Sequence, residues 1–209
     1  MGDDVRYPVP GNRPRIELVI SRSRFVATAG RVASADDVRC LLTEVRAEMP
    51  GATHHAYAFR IGFGNTAREG VSDDGEPSGT AGAPMLAVLR GRAIGDVMVV
   101  VTRFYGGVKL GTGGLVRAYS DAARGVLNEL SLTEKVLSCT LRIELPYRLY
   151  EPVKLMLLEH EANVISEDFA EQVTVTASIP QNNLASLTAL LADSSAGKVV
   201  PVMLDGDWS

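Results

Sequence analysis

Val97-Met-Val-Val-Val-Thr-Arg-Phe-Tyr-Gly-Gly-Val-Lys-Leu-Gly-Thr-Gly-Gly-Leu-Val-Arg-Ala-Tyr119 runs from an unbroken apolar stretch through a glycine loop into helical spacing. Five apolar residues in a row, Val97 to Val101, predict a central strand covered on both faces, because a half-buried strand would alternate. Beyond the loop at 106–114, Leu115, Tyr119, Ala122, Val126 and Leu130 recur on one helix face. Strand, tight loop and helix in this order set the frame of an α+β domain.

Upstream, a helix is expected around 83–90, with Pro84 in its first turn and Gly91 beyond its end. A glycine- and acid-rich loop, roughly 62–79, precedes it. His55, Tyr57, Phe59 and Ile61 alternate with Ala56, Ala58 and Arg60, which is strand periodicity. Val38, Leu41, Leu42, Val45 and Met49 have helical spacing, with Ser34 and Asp37 as a capping pair and Pro50-Gly51 as the stop. Ile16–Ile20 and Arg24–Thr28 are short strands around a polar turn. The first ten or so residues, with prolines at 8, 10 and 14, read as an extended arm without regular pairing. The predicted order to residue 130 is ββαβαβα.

The remainder has another rhythm. Strands at 138–145, 164–169, 173–179 and 199–204 and helices at 150–161 and 182–194 give βαββαβ, the split ferredoxin-like order. Two domains are therefore expected, 1–132 and 133–209. The net charge of −4 divides unevenly. Residues 1–130 carry 16 Lys+Arg against 14 Asp+Glu, whereas residues 131–209 carry 5 against 11. The acidity belongs to the second half, so it does not exclude nucleic acid as a partner of the first.

No apolar stretch approaches the roughly 20 residues of a membrane span. The opening residues lack the charge and apolar core of a secretory signal. A soluble, cytoplasmic protein without membrane contact is expected. Cys40 and Cys139 are too few for a disulfide framework or a thiol-rich zinc site, and both read as buried thiols.

Three segments carry chemistry-bearing residues. In Val71-Ser-Asp-Asp-Gly-Glu-Pro-Ser-Gly-Thr-Ala-Gly82, the carboxylates of Asp73, Asp74 and Glu76 crowd beside Ser78 and Thr80. Clustered oxygens suit Mg²⁺, but the regular ligand spacing of a calcium loop is missing. A tight turn held by Asp side chains, with Ser78 or Thr80 capping the next helix, is the preferred reading. No metal site is therefore assigned, with Mg²⁺ as the minor alternative. In the glycine loop, Arg103, Lys109 and Arg117 accompany Gly106, Gly107, Gly111, Thr112, Gly113 and Gly114. Glycines admit an anion close to the backbone, and a helix start favours negative charge. The phosphate-loop Lys-Ser/Thr and the dinucleotide fingerprint are both absent. Anion binding and a purely conformational need for glycine remain two readings of this loop. Third, His54 and His55 are adjacent on a strand and so face opposite ways, one to the core and one to the surface, which does not suit a shared metal. No nucleophile–base pair stands out, and His160 reads as a helix residue.

Taken together, Ala52–Gly62, Ser72–Gly82, Val101–Ser120 and Ser23-Arg-Phe25 resemble the IMPACT/YigZ family over about residues 15–130. One departure is Arg103-Phe-Tyr-Gly, where members more often have Arg-Tyr-Phe-Gly. The resemblance implies a first domain like the second domain of ribosomal protein S5 and domain IV of translocation factor G. It implies a ferredoxin-like second domain similar to domain V of that factor. Eukaryotic relatives restrain the amino-acid-starvation kinase by competing for its activator. They do so with an additional domain that has no counterpart in these 209 residues, so that role is not carried over.

The functional expectation is a non-enzymatic, translation-associated protein that binds RNA or the ribosome through the basic face of the first domain. Arg103, Lys109 and Arg117 would meet phosphates, with Arg60 and Tyr105 beside them. The alternatives are a small-molecule phosphate enzyme using Mg²⁺, or an adaptor for a regulatory protein. Nothing in the sequence sets the oligomeric state.

Overall fold

The computed structural model describes residues 6–208, with side chains through residue 204. The chain forms two compact units, Tyr7–Glu134 and a second that runs from Lys135 and includes Arg6.

The first unit contains β1 (Arg6–Pro10), β2 (Arg15–Ile20), β3 (Ser23–Arg31), α1 (Ala35–Glu48), β4 (His54–Ile61), β5 (Arg68–Ser72), α2 (Gly82–Arg90), β6 (Val97–Phe104) and α3 (Gly111–Asn128). An antiparallel sheet of order β2-β3-β6-β4-β5 puts β6 at the centre. On one face Val97, Val99 and Val101 join Phe25, Ala27 and Ala29 of β3, Met85 and Leu89 of α2, and Tyr119 and Val126 of α3. On the other, Met98 and Val100 meet Val38, Leu41 and Val45 of α1. Helices therefore cover both faces, which is why β6 shows no alternation. Each such fully buried aliphatic side chain contributes about 1.5–3 kcal/mol.

The α1 cap forms as read: Ser34 Oγ accepts from Asp37 N, and Asp37 Oδ2 accepts from Ser34 N. Four expectations need correction. Residues 6–10 form a strand rather than an unpaired arm. β1 is not part of the sheet centred on β6 but an end strand hydrogen-bonded to the strand that begins at Leu132, where proline is tolerated, and Tyr7 and Val9 are buried. The loop expected at 62–79 contains β5, so the order is βββαββαβα. Cys40 is exposed. It sits two residues from Val38, on the far side of a helix whose buried stripe is Val38, Leu41 and Val45. Finally, α3 starts at Gly111, so the second half of the glycine loop is the helix's first turn.

The second unit is built from β7 (Leu132–Leu145), α4 (Tyr150–Glu159), β8 (Asn163–Phe169), β9 (Val173–Pro180), α5 (Leu184–Ser195) and β10 (Val202–Trp208). These follow the predicted βαββαβ order, in an antiparallel arrangement β10-β7-β9-β8. Leu141, Ile143, Leu145, Val175 and Ile179 pack on Val153 and Leu157 of α4 and on Leu187 and Leu191 of α5. No helix among the described residues is long and apolar enough to cross a membrane.

Candidate functional site

The three motifs converge at one end of the first unit's sheet. Register brings them together: His54 of β4 and Phe25 of β3 both lie opposite Arg103 of β6. Arg103 and Glu76 have side chains only 6% and 3% exposed, with Arg103 Nη1 2.7 Å from Glu76 Oε1. The same carboxylate oxygen accepts from Tyr119 Oη at 2.8 Å. Burial first, then the bond to and charge of Glu76, push the Tyr119 hydroxyl far above its ordinary pKa. Arg103 Nη2 donates to Ser23 Oγ at 3.3 Å, and Arg103 Nε is buried without a hydrogen-bond partner among the described residues. Its guanidinium lies 5.3 Å from the Phe25 ring centroid and 5.4 Å from that of Tyr105.

The acidic loop turns its polar groups inward, each on a different errand. Asp73 Oδ1 accepts from Ala81 N at 2.9 Å and Gly82 N at 2.8 Å, and Oδ2 accepts from Gly79 N at 2.8 Å. Burial works to raise its pKa, but these amide bonds outweigh it and hold the carboxyl below the usual aspartate value. Asp73 thus satisfies the start of α2, which has no capping side chain at its own N-terminal residue. This replaces the expected cap by Ser78 or Thr80: Ser78 is exposed, and Thr80 Oγ1 donates back to Pro77 O at 2.6 Å. Asp74 receives His55 N at 2.6 Å and Arg46 at 2.8 Å. With Glu76 committed to Arg103, the three carboxylates do not converge, and no metal-binding group of three is found among the described residues. The set does not fit Mg²⁺.

His54 and His55 do lie on opposite faces, but each is half-buried, because both faces carry a layer. The Nδ1 of His54 lies 2.7 Å from the Asp74 carbonyl, to which it can only donate. Nε2 is thereby left 4.0 Å from Glu76 Oε1. His55 Nδ1 lies 3.0 Å from Thr102 Oγ1, and burial depresses its pKa.

The glycine loop faces the other way. Tyr105, Gly107, Lys109, Gly111, Thr112, Gly113 and Arg117 are exposed, and Gly114 is half-buried. Gly107 and Gly111 take positive φ, 84° and 71°. Gly106 is needed for a different reason: a Cβ there would lie 1.9 Å from Arg22 O. That contact seats the loop on the tip of the β2–β3 hairpin, whose residues Ser21 and Arg22 have φ of 47° and 64°. Ser23 Oγ also accepts from Gly106 N at 3.2 Å, and Thr53 Oγ1 accepts from Tyr105 N at 3.1 Å.

Two expected contacts are therefore placed elsewhere. Arg103 is neutralised inside, and Arg60 is 9% exposed, with Nε 3.0 Å from Glu69 Oε1. One basic residue that sequence reasoning missed joins the loop instead. Arg22 is exposed at the hairpin tip. Arg24, opposite Phe104 in the register, stacks its guanidinium 4.2 Å from that ring's centroid and lies 3.7 Å from Glu17. The Ser23-Arg-Phe25 motif marked this hairpin; only the contact of Gly106 with Arg22 O showed Arg22 beside the loop, while the register puts Arg24 on the Phe104 face of the sheet.

The matched signatures define the class. That of the Impact N-terminal domain covers residues 21–127, and that of a domain of unknown function, DUF1949, covers residues 143–198. The chain is thus a two-domain protein with an Impact N-terminal domain. It is 35% identical to the IMPACT family member YigZ of Escherichia coli (strain K12), over 86% of this chain and 89% of that one. It is 32% identical to an IMPACT family member of Haemophilus influenzae, over 95% and 97%. With the Protein IMPACT of Bos taurus it shares 34% identity over 56% of this chain and 37% of the relative. A solved crystal structure described as that of a hypothetical protein superposes with a TM-score of 0.72 at 32% identity, covering 96% of this chain and 98% of the other. The chain belongs to the IMPACT family.

Proposed function

We propose that this protein is a non-enzymatic, cytoplasmic, translation-associated factor that binds RNA or the ribosome through the glycine-loop face of its first unit. One observation carries the reading. The close approach of Gly106 to the Arg22 backbone seats the loop that carries exposed Tyr105 and Lys109 beside exposed Arg22, just ahead of the helix that carries exposed Arg117. Arg103 and Arg60 become scaffold in this reading, and the interface consists of the outward cations. Phosphates are met by such cations and by glycine backbone, with affinity that falls steeply with salt.

The domain assignments follow the same reasoning. The central five-stranded sheet with its strand–glycine loop–helix unit supports a fold like the second domain of ribosomal protein S5. The β10-β7-β9-β8 order with two helices supports a ferredoxin-like second unit. The second unit's excess of acidic residues suits contact with protein rather than with nucleic acid.

The test is co-sedimentation of the full chain with ribosomes, and mobility shift with total RNA, at low and high salt. Binding at low salt that weakens on Lys109→Glu with Arg117→Glu is the expected result. No association with either partner at low salt overturns the proposal.

A further inference from the structure

We propose that the ligand of this face is single-stranded RNA, one unpaired base of which stacks on Tyr105; the inference rests on the reading above and narrows it. Tyr105 is 46% exposed, at the point where β6 gives way to the glycine loop. An exposed aromatic at a surface costs little by itself, but this residue is fixed at its backbone and meets a held guanidinium at its ring. Its backbone N–H donates to Thr53 Oγ1 at 3.1 Å. The Arg103 guanidinium stands 5.4 Å from its centroid and is itself anchored by Glu76. Much of the ordering that binding would otherwise require is already done. Val108, 38% exposed, widens the apolar patch beside the ring.

The loop and its neighbouring elements also carry cations. Arg22, Lys109 and Arg117 are exposed and have no ion-pair partner among the described residues. Acids on the flanking elements are engaged by other arginines: Glu76 by Arg103 at 2.7 Å, Asp121 by Arg124 at 2.7 Å and Glu17 by Arg24 at 3.7 Å. An exposed flat ring with cations on the same loop and at the adjoining hairpin tip matches a strand that offers both base faces and phosphates. A duplex offers only the phosphates, because its base faces are stacked on one another. The glycines at 107, 111 and 113 let the strand's backbone lie close to the start of α3, where outward amides add to the cations.

The experiment is fluorescence anisotropy of the full chain with a labelled oligouridylate and with an RNA hairpin carrying the same number of phosphates. The oligouridylate is expected to bind about tenfold more tightly, with Tyr105→Ala erasing that advantage and Tyr105→Phe or Tyr105→Trp preserving it. Lys109→Glu is expected to weaken both probes alike. Equal affinity for the two probes, or an undiminished preference in Tyr105→Ala, overturns the inference and leaves the broader RNA reading standing. Binding of neither probe overturns this inference, and the broader reading falls too if ribosomes fail to bind. Tyr105 is exposed, so matching thermal melts of the variants and the parent keep loss of fold separate from loss of stacking.

Discussion

Two loops rich in glycine and polar residues lie at the same end of one sheet and put their chemistry to opposite use. The 73–80 loop buries Glu76, aims Asp73 at the amides of α2 and ties Asp74 to β4 and α1. The 105–114 segment leaves Tyr105, Lys109, Thr112 and the glycines at 107, 111 and 113 in solvent. Density of charged residues along a sequence therefore says that a segment matters, not which way it faces. Here the inward loop is the support on which the outward loop stands, and Arg103 is the joint between them.

The most severe way to break this division is Glu76→Ala. It leaves the Arg103 guanidinium buried without its counter-charge, and an uncompensated buried ion costs about 3–5 kcal/mol. Urea unfolding of the first unit should report a loss of that order, and adding Arg103→Met should restore part of it. Next is Gly106→Ala, where the new Cβ has backbone rather than a flexible side chain in its way. About 1–3 kcal/mol of strain is expected, and RNA affinity should fall with it as Arg22 is pushed from the loop. A smaller effect, about 1 kcal/mol, is expected for Asp73→Ala through loss of the cap on α2.

Asp73 also has a pH signature. Its folded pKa lies below the unfolded value, so its contribution is fully present above about pH 4 and is lost as pH falls through the folded pKa. The acid limb of the stability profile should flatten in Asp73→Asn; an unchanged limb would remove Asp73 from the support role. Smallest in stability is the double variant Lys109→Glu with Arg117→Glu. Surface changes of this kind stay within about 0.5 kcal/mol, while the slope of log affinity against log salt should shrink by about 0.7 for each single-strand phosphate contact removed. A large stability loss in this variant would blur the contrast between the loops.

Much of the architecture was legible because burial leaves a period. The unalternating run of β6, the capped stripe of α1, the stripe of α3 and the βαββαβ order of the second half all write their packing into residue spacing. β5 escaped because Arg68-Glu-Gly-Val-Ser72 is a short edge strand with no apolar alternation, paired among the described residues only to β4. β1 escaped because two of its five residues are prolines, which edge strands accept. In the site, residue types and segments were readable, but direction was not. Arg103 and Lys109 look alike in sequence, and only the parity of β6 and a partner 27 residues away turn the first inward. Asp73 caps a helix starting nine residues later, a span no local capping pattern describes.

The missing side chain at residue 106 also sets terms for how this surface can diversify. The backbone of Arg22 occupies the space any larger residue would need, so position 106 is closed to sequence variation while Tyr105, Val108 and Lys109 on either side remain open. A family built on this seat can rewrite what its loop recognises without redrawing where the loop stands. A library varied at 105, 108 and 109 with glycine retained at 106 would sample new specificities on an unchanged frame.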